Sequence, residues 1–271
     1  MEIIKAILLG IIQGITEWLP ISSTGHMILA DEWIQLSGGK AFVDLFMVVV
    51  QFGSILAVLV LYFHKLNPFS AKKNAKQKHD TLSLWGKVLI ATIPAGIIGL
   101  LFEEKINALF YNPTTVAITL IVYGVGFIVV ENQRRKGRIH SFAQMTYRTA
   151  ALIGVFQVLA LIPGTSRSGA TILGAVMLGC SRTVAAEFSF FLAIPVMLGA
   201  SGLKLIKYAD LLVGPQLLTL LVGTVVAFAV SLFAIRFLMK FIQTHTFKPF
   251  GYYRIVLGAA VLLYLRIDIN A

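Results

Sequence analysis

Two short stretches hold most of the residues able to do chemistry. Gln13, Glu17, Ser22, Ser23, Thr24, Gly25 and His26 fall within residues 13–26, and Thr165, Ser166, Arg167, Ser168 and Gly169 within 163–169. Both interrupt apolar runs with proline, glycine and hydroxyl residues. Open backbone persists in hydrocarbon only where it lines a cavity or is buried in protein. Polar groups at that depth are costly, so the two interruptions read as a functional site. A helix starting at Ser22–Thr24 or Ser166–Ser168 presents free N–H groups and the positive end of its dipole, a receptor for anions. Ser22, Ser23, Thr24, Thr165, Ser166 and Ser168 add hydroxyl donors, while Gly25 and Gly169 permit close backbone approach. Two such helix ends meeting head-on suit an anion with two charged groups. Arg167 adds a planar fork matched to phosphate oxygens.

Glu17 and Gln13 are four residues apart, on one helix face. Two readings stand for Glu17. It can hold a divalent cation that bridges phosphates, with Gln13 as a neutral second ligand, or it can form a salt bridge to Arg167. His26 follows Ser23 by three residues and shares its face. Histidine is a general acid or base near neutral pH, and either His26 or an activated Ser23 can attack phosphorus. Ser22, Ser23 and Ser166 also suit plain N-capping. Asp44 and Glu187 open the first full span of each half and suit capping or pairing with a basic residue. Gln51 is a candidate polar neighbour of the site. Arg254 fits either a lipid headgroup contact or a structural role. His64, His79, His140 and His245 lie in or beside basic loops and carry no expectation of chemistry.

The elements that must position these residues belong to a membrane protein. The 271-residue chain is 58% hydrophobic and 13% charged, with mean hydropathy +0.85, far from a soluble average. Its net charge of +11 would suggest nucleic acid on a soluble chain. Here the basic residues cluster in loops, as the positive-inside rule expects, and no nucleic-acid partner is expected. The single cysteine, Cys180, excludes an intrachain disulfide or a cysteine-based zinc site and reads as inert. The apolar N-terminal run enters the first motif without a cleavage site, so it reads as mature protein.

The pattern predicts a short helix pair at residues 2–18 and 23–36, then full spans at 41–63, 85–102 and 114–130. A second short pair follows at 149–162 and 168–178, then spans at 185–206, 216–237 and 251–267. Basic loops at 65–78, 134–148 and 240–248 all fall on one side, taken as cytoplasmic. A short acidic turn at Glu103 and Glu104 falls outside, where Lys204 and Lys207 are a minor exception. Gly10, Gln13, Ser22, Thr24 and Gly25 match Gly154, Gln157, Ser166, Ser168 and Gly169 at a constant offset of 144. The expected fold is therefore an all-α polytopic membrane protein with six full transmembrane helices and two re-entrant helix pairs in an inverted-topology repeat. It forms one membrane domain over 1–271, with repeats at about 1–131 and 149–271, and its site lies at the repeat interface.

The Gln13–Glu17 element, the Pro20–His26 run PISSTGH and the run PGTSRSGAT from Pro163 resemble the bacterial undecaprenyl-diphosphate phosphatases, the bacitracin-resistance family. The resemblance covers the whole chain and includes 145–148 and 187–190. It implies hydrolysis of undecaprenyl diphosphate to undecaprenyl phosphate and inorganic phosphate, recycling the lipid carrier of cell-wall synthesis, with a divalent cation, Mg or Ca. It implies Glu17, Ser23, His26 and Arg167 as the active-site set, and Thr24, Ser166 and Ser168 as holders of the diphosphate. The family often has glutamate where this chain has Gln13. The implied setting is the bacterial inner membrane, with the site opening to the outer face. The substrate and membrane lipids are the expected partners, and a homodimer is left open. The rival reading is a transporter or flippase of a polyprenyl phosphate lipid, since broken helices in inverted repeats are transporter architecture.

Overall fold

The computed structural model describes residues 1–133, 137–208, 210, 212 and 214–269, with side chains at 28, 31, 32, 103 and 266–269 left aside. Arg134, Arg135 and Lys136 of the second basic loop lie outside the described residues, as does the side chain of Glu103. The described elements are helical: α1 Glu2–Thr16, α2 Ser23–Trp33, α3 Gly39–Leu61, α4 Phe63–Leu66, α5 Ala75–Phe110, α6 Pro113–Asn132, α7 Tyr147–Val158, α8 Arg167–Met177, α9 Arg182–Lys207, α10 Gly214–Thr244 and α11 Lys248–Ile269. One 3₁₀ turn, Leu159–Leu161, follows α7. Among the described residues, five helices are long and apolar enough to cross a membrane: α3, α5, α6, α9 and α10. The chain is thus an all-helical polytopic membrane protein.

Helix α5 departs most from expectation. It begins at Ala75, because Asn74 and Gln77 form a reciprocal capping box. Lys76 and Lys78 therefore ride on a helix rather than in a loop. At its other end, the expected acidic turn at Glu103 and Glu104 is helix. No glycine or proline interrupts the chain after Gly99 until Asn112-Pro113. There Asn112 accepts from the Thr115 amide and Pro113 opens α6.

Short α1 lies along α10, and short α7 lies along α5. Small residues let these backbones approach. A Cβ at Gly10 or Gly14 would meet the carbonyl of Gly223 or Ala227 in α10 at 2.7 and 2.8 Å, and one at Gly154 would fall on the Ala91 backbone in α5. Helix α3 packs on α10, α9 on α5, and α6 on α11. The long helices thus flank the two short pairs, whose outer faces stay exposed at Ile4 and Leu8 of α1 and at Val155 of α7. Trp18, at the end of α1, is fully buried against Phe190 of α9, with ring centroids 5.2 Å apart in an edge-on contact.

Candidate functional site

Both chain breaks turn on one device. Ser22 and Ser166 are the non-glycine residues with positive φ among those described, at 76° and 73°. Each is the N-cap of the following short helix. Ser22 Oγ accepts from the Gly25 amide at 3.2 Å, and Ser166 Oγ from the Gly169 amide at 3.1 Å. Serine in this region is strained by roughly 1–3 kcal/mol, so the surroundings must over-determine it.

Much of that over-determination comes from Arg254 on α11, which is fully buried. Its guanidinium donates to the carbonyls of Gly164 and Thr165 at 2.8 and 2.9 Å, and to that of Pro20 at 3.3 Å. One side chain therefore ties the second break to the first. Gly169 leaves room for it, since a Cβ there would lie 2.9 Å from Arg254 Nη1. Ser168, also buried, adds a second tie: its hydroxyl reaches the carbonyls of Glu17 and Leu19 at 3.2 and 3.4 Å. Gly164 has φ of 84°, and a Cβ there would lie 2.6 Å from the Val116 carbonyl, so the turn excludes side chains.

Between the breaks lies a carboxylate network. Glu17 is 4% exposed. Its Oε1 accepts from Arg167 Nη2 at 2.9 Å, and its Oε2 from Gln13 Nε2 at 2.9 Å and Ser23 Oγ at 2.7 Å. The salt-bridge reading of Glu17 is thus realised. Arg167 Nη1 donates to the Ser189 carbonyl at 2.6 Å, so both tips of its fork have protein partners. Arg167 Nε and Gln13 Oε1 are buried without one.

His26 stands apart from Ser23. Its Nδ1 lies 2.7 Å from the Ser22 carbonyl oxygen and its Nε2 lies 2.7 Å from Tyr253 Oη. The sequence reading paired Ser23 with His26 as helix neighbours. In the structure Ser23 turns inward to Glu17, while His26 bends back on its own helix cap. Of the remaining expected residues, Thr24 is exposed, Gly25 is buried in the first turn of α2, and Thr165 is buried with its carbonyl on Arg254. Gln51 and Asp44 are half-buried in α3, and Glu187 pairs with Lys65, as one of its two expected roles required. His64, His79, His140 and His245 are exposed.

An apolar cavity of about 550 Å³ runs beside the site between α1, α10 and α11. Ile15, Leu19, Phe237, Phe250, His26 and Tyr253 are among its lining residues. Tyr253 and the clamping role of Arg254 escaped the sequence reading. The available signal was an arginine inside the apolar run of α11, with no acid beside it in sequence.

Among the described residues, no three histidine, cysteine, aspartate or glutamate side chains gather into a metal cluster. A different donor set is available to a hard cation. An ionised carboxylate offers about four lone pairs, and Glu17 uses three. Mg²⁺ is typically bound through one or two carboxylates plus substrate phosphates; Glu17 is the one carboxylate here, and the partnerless Gln13 Oε1 is a neutral oxygen on the same helix face.

Helices and site together describe an integral membrane protein with a polar centre built where two interrupted helix pairs meet. The chain belongs to the bacitracin resistance protein BacA family, whose model matches residues 6–260. It is 61% identical over 264 residues to undecaprenyl-diphosphatase 1 of Clostridioides difficile (strain 630), covering 97% of this chain and 96% of that one. It is 60% identical over 266 residues to the undecaprenyl-diphosphatase of Acetivibrio thermocellus, covering 97% and 98%. The undecaprenyl-diphosphatase of Desulfitobacterium hafniense is 58% identical over 267 residues, covering 97% and 96%.

Proposed function

We infer that the chain is a membrane phosphatase that hydrolyses undecaprenyl diphosphate to undecaprenyl phosphate and inorganic phosphate, and so recycles the lipid carrier of cell-wall synthesis. Family membership and relatives 58–61% identical support the reaction. The observation that carries the site is the Ser23 hydroxyl, donated at 2.7 Å to the buried Glu17 carboxylate at the meeting of two helix N-termini.

The prenyl tail lies in the apolar cavity and the diphosphate faces the two breaks. Ser23 Oγ attacks the terminal phosphorus and gives its proton to Glu17. The bond to the lipid phosphate breaks, and its electron pair leaves with that phosphate. Water then hydrolyses the phosphoserine with His26 as base. Arg167 holds Glu17 in place and puts a positive charge beside the reacting group, where charge develops. Thr24 and Ser166 supply hydroxyls to the diphosphate, while the Gly25 and Gly169 amides are held by the Ser22 and Ser166 caps. Gln13 and Glu17 would hold a divalent cation, which when bound neutralises phosphate charge.

The chain crosses the bacterial inner membrane six times, α11 being the sixth span, with two re-entrant pairs in an inverted repeat. Two features support this topology. Ser22 and Ser166, 144 residues apart, share one unusual backbone state and one capping bond. The packing of α1 on α10 is mirrored by that of α7 on α5, as exchange of the halves about a two-fold axis requires. The basic loops face the cytoplasm and the site opens outward.

The same architecture suits a lipid flippase. Phosphate release in detergent separates the two, because detergent leaves no sides to move between. Wild type is expected to release phosphate from undecaprenyl diphosphate, and Ser23→Ala and Glu17→Gln to release little. Full turnover by both variants would place the chemistry elsewhere.

A further inference from the structure

We propose that Tyr253 is a proton-relay residue of the hydrolytic step, carrying a proton from the attacking water to His26; the proposal rests on the site assigned above. The imidazole is held at both nitrogens. The Ser22 carbonyl oxygen 2.7 Å from Nδ1 can only accept, so Nδ1 carries the hydrogen and Nε2 the lone pair. Tyr253 Oη, 2.7 Å from Nε2, therefore donates to it. The one basic nitrogen of His26 is covered by this hydroxyl, so a water proton reaches it through Tyr253.

The surrounding geometry suits a relay more than a packing contact. The two rings are parallel within 4°, with centroids 5.6 Å apart. This keeps the phenol oxygen against the imidazole edge. Both residues line the apolar cavity, which puts the pair where a tail-bound lipid would bring its phosphates. A hydroxyl that donates its hydrogen keeps lone pairs to accept another.

The step balances as follows. The water oxygen bonds to the phosphorus of phosphoserine as the bond from phosphorus to Ser23 Oγ breaks. Ser23 Oγ recovers the proton held on Glu17. The water gives one proton to Tyr253 Oη as Tyr253 passes its own to His26 Nε2, and His26 later loses it to solvent. Phosphate departs and the free enzyme is restored.

The test compares wild type, Tyr253→Phe, Tyr253→Leu, His26→Ala and His26→Ala/Tyr253→Phe, purified in detergent with undecaprenyl diphosphate. Tyr253→Phe keeps the ring and loses only the hydroxyl. It should lower kcat by about tenfold or more, lower KM by a similar factor so that kcat/KM is held, and leave the thermal unfolding midpoint unchanged. With terminally ³²P-labelled substrate it should accumulate phosphoenzyme. The double variant should be no slower than His26→Ala, as residues acting as a unit require. Wild-type kcat in Tyr253→Phe with a loss in Tyr253→Leu would reduce the tyrosine to packing and overturn the relay. Multiplying losses in the double variant would do so as well. Full turnover by His26→Ala would instead overturn the site assignment itself.

Discussion

Replacing Glu17 by glutamine changes one oxygen to an amide in a group that is 4% exposed and accepts three hydrogen bonds. Two losses follow and they can be measured apart. The first is structural. Arg167, 10% exposed at its side chain, loses its ion partner. Breaking a buried pair costs about 3–5 kcal/mol. The retained amide oxygen still accepts, so a value near about 3 kcal/mol is expected in detergent unfolding. The second is chemical. A positioned proton acceptor contributes about 10²–10⁴ in rate, or about 3–5 kcal/mol of transition-state stabilisation. Ser23→Ala should cost a similar factor. If the 2.7 Å contact between Ser23 and Glu17 marks a nucleophile and its base, the double variant should lie within about threefold of the worse single. The assay is kcat/KM for phosphate release at saturating metal, corrected for the folded fraction. Without Ser23 no phosphoserine forms for His26 to act on, so Ser23→Ala/His26→Ala should be no slower than Ser23→Ala. Multiplying losses in the Glu17/Ser23 cycle would refute the assignment of the base.

Chelation with EDTA should abolish turnover, with Mg²⁺ or Ca²⁺ restoring it, and Gln13→Leu should raise the metal concentration needed for half-maximal activity; turnover in EDTA would remove the cation from the mechanism. Arg254→Met strands the carbonyls of Pro20, Gly164 and Thr165, at about 1–3 kcal/mol for each buried group. It should lower the unfolding midpoint far more than Arg254→Lys, and equal midpoints would contradict the clamp. Gly164→Ala combines a φ of 84° with a contact to the Val116 carbonyl. The left-handed backbone alone costs about 1–2 kcal/mol, so a wild-type midpoint would contradict the turn. Burial pushes the Cys180 thiol up to about 11, so it stays protonated at neutral pH and should resist maleimide. Cysteines placed at Lys76 and Glu104 should then react from the cytoplasmic and outer sides respectively, and a shared side would break the proposed topology.

Much of this molecule is legible in its sequence because hydrocarbon allows few alternatives. Apolar runs must be helices, and the breaks at Pro20 and Pro163-Gly164 have to be buried together. Helix starts at Ser22–Ser23 and Ser166–Arg167 follow from hydroxyl caps. What resisted reading is long-range. Whether Ser23 faces His26 or Glu17 depends on a positive φ at Ser22, which composition does not encode for serine. Tyr253 and Arg254 act across more than 80 residues of chain, and no local spacing announces that. The extent of α5 was missed for the opposite reason. Charged residues 103–105 look like a loop in a membrane context, yet they are good helix formers with no breaker after them.

The resemblance between the two jaws of the site makes their differences the interesting part. Ser22 and Ser166 share φ and cap, so the two helix starts are built alike. At the same offset of 144, however, Glu17 corresponds to Leu161, His26 to Ala170 and Ser23 to Arg167. A diphosphate has two phosphorus atoms, and a receptor with matching jaws cannot by shape alone tell them apart. On this reading the carboxylate, the hydroxyl and the imidazole sit on one jaw, and the other contributes a cation. The bond that is cut is then selected by where the halves have diverged, while the grip rests on what they still have in common.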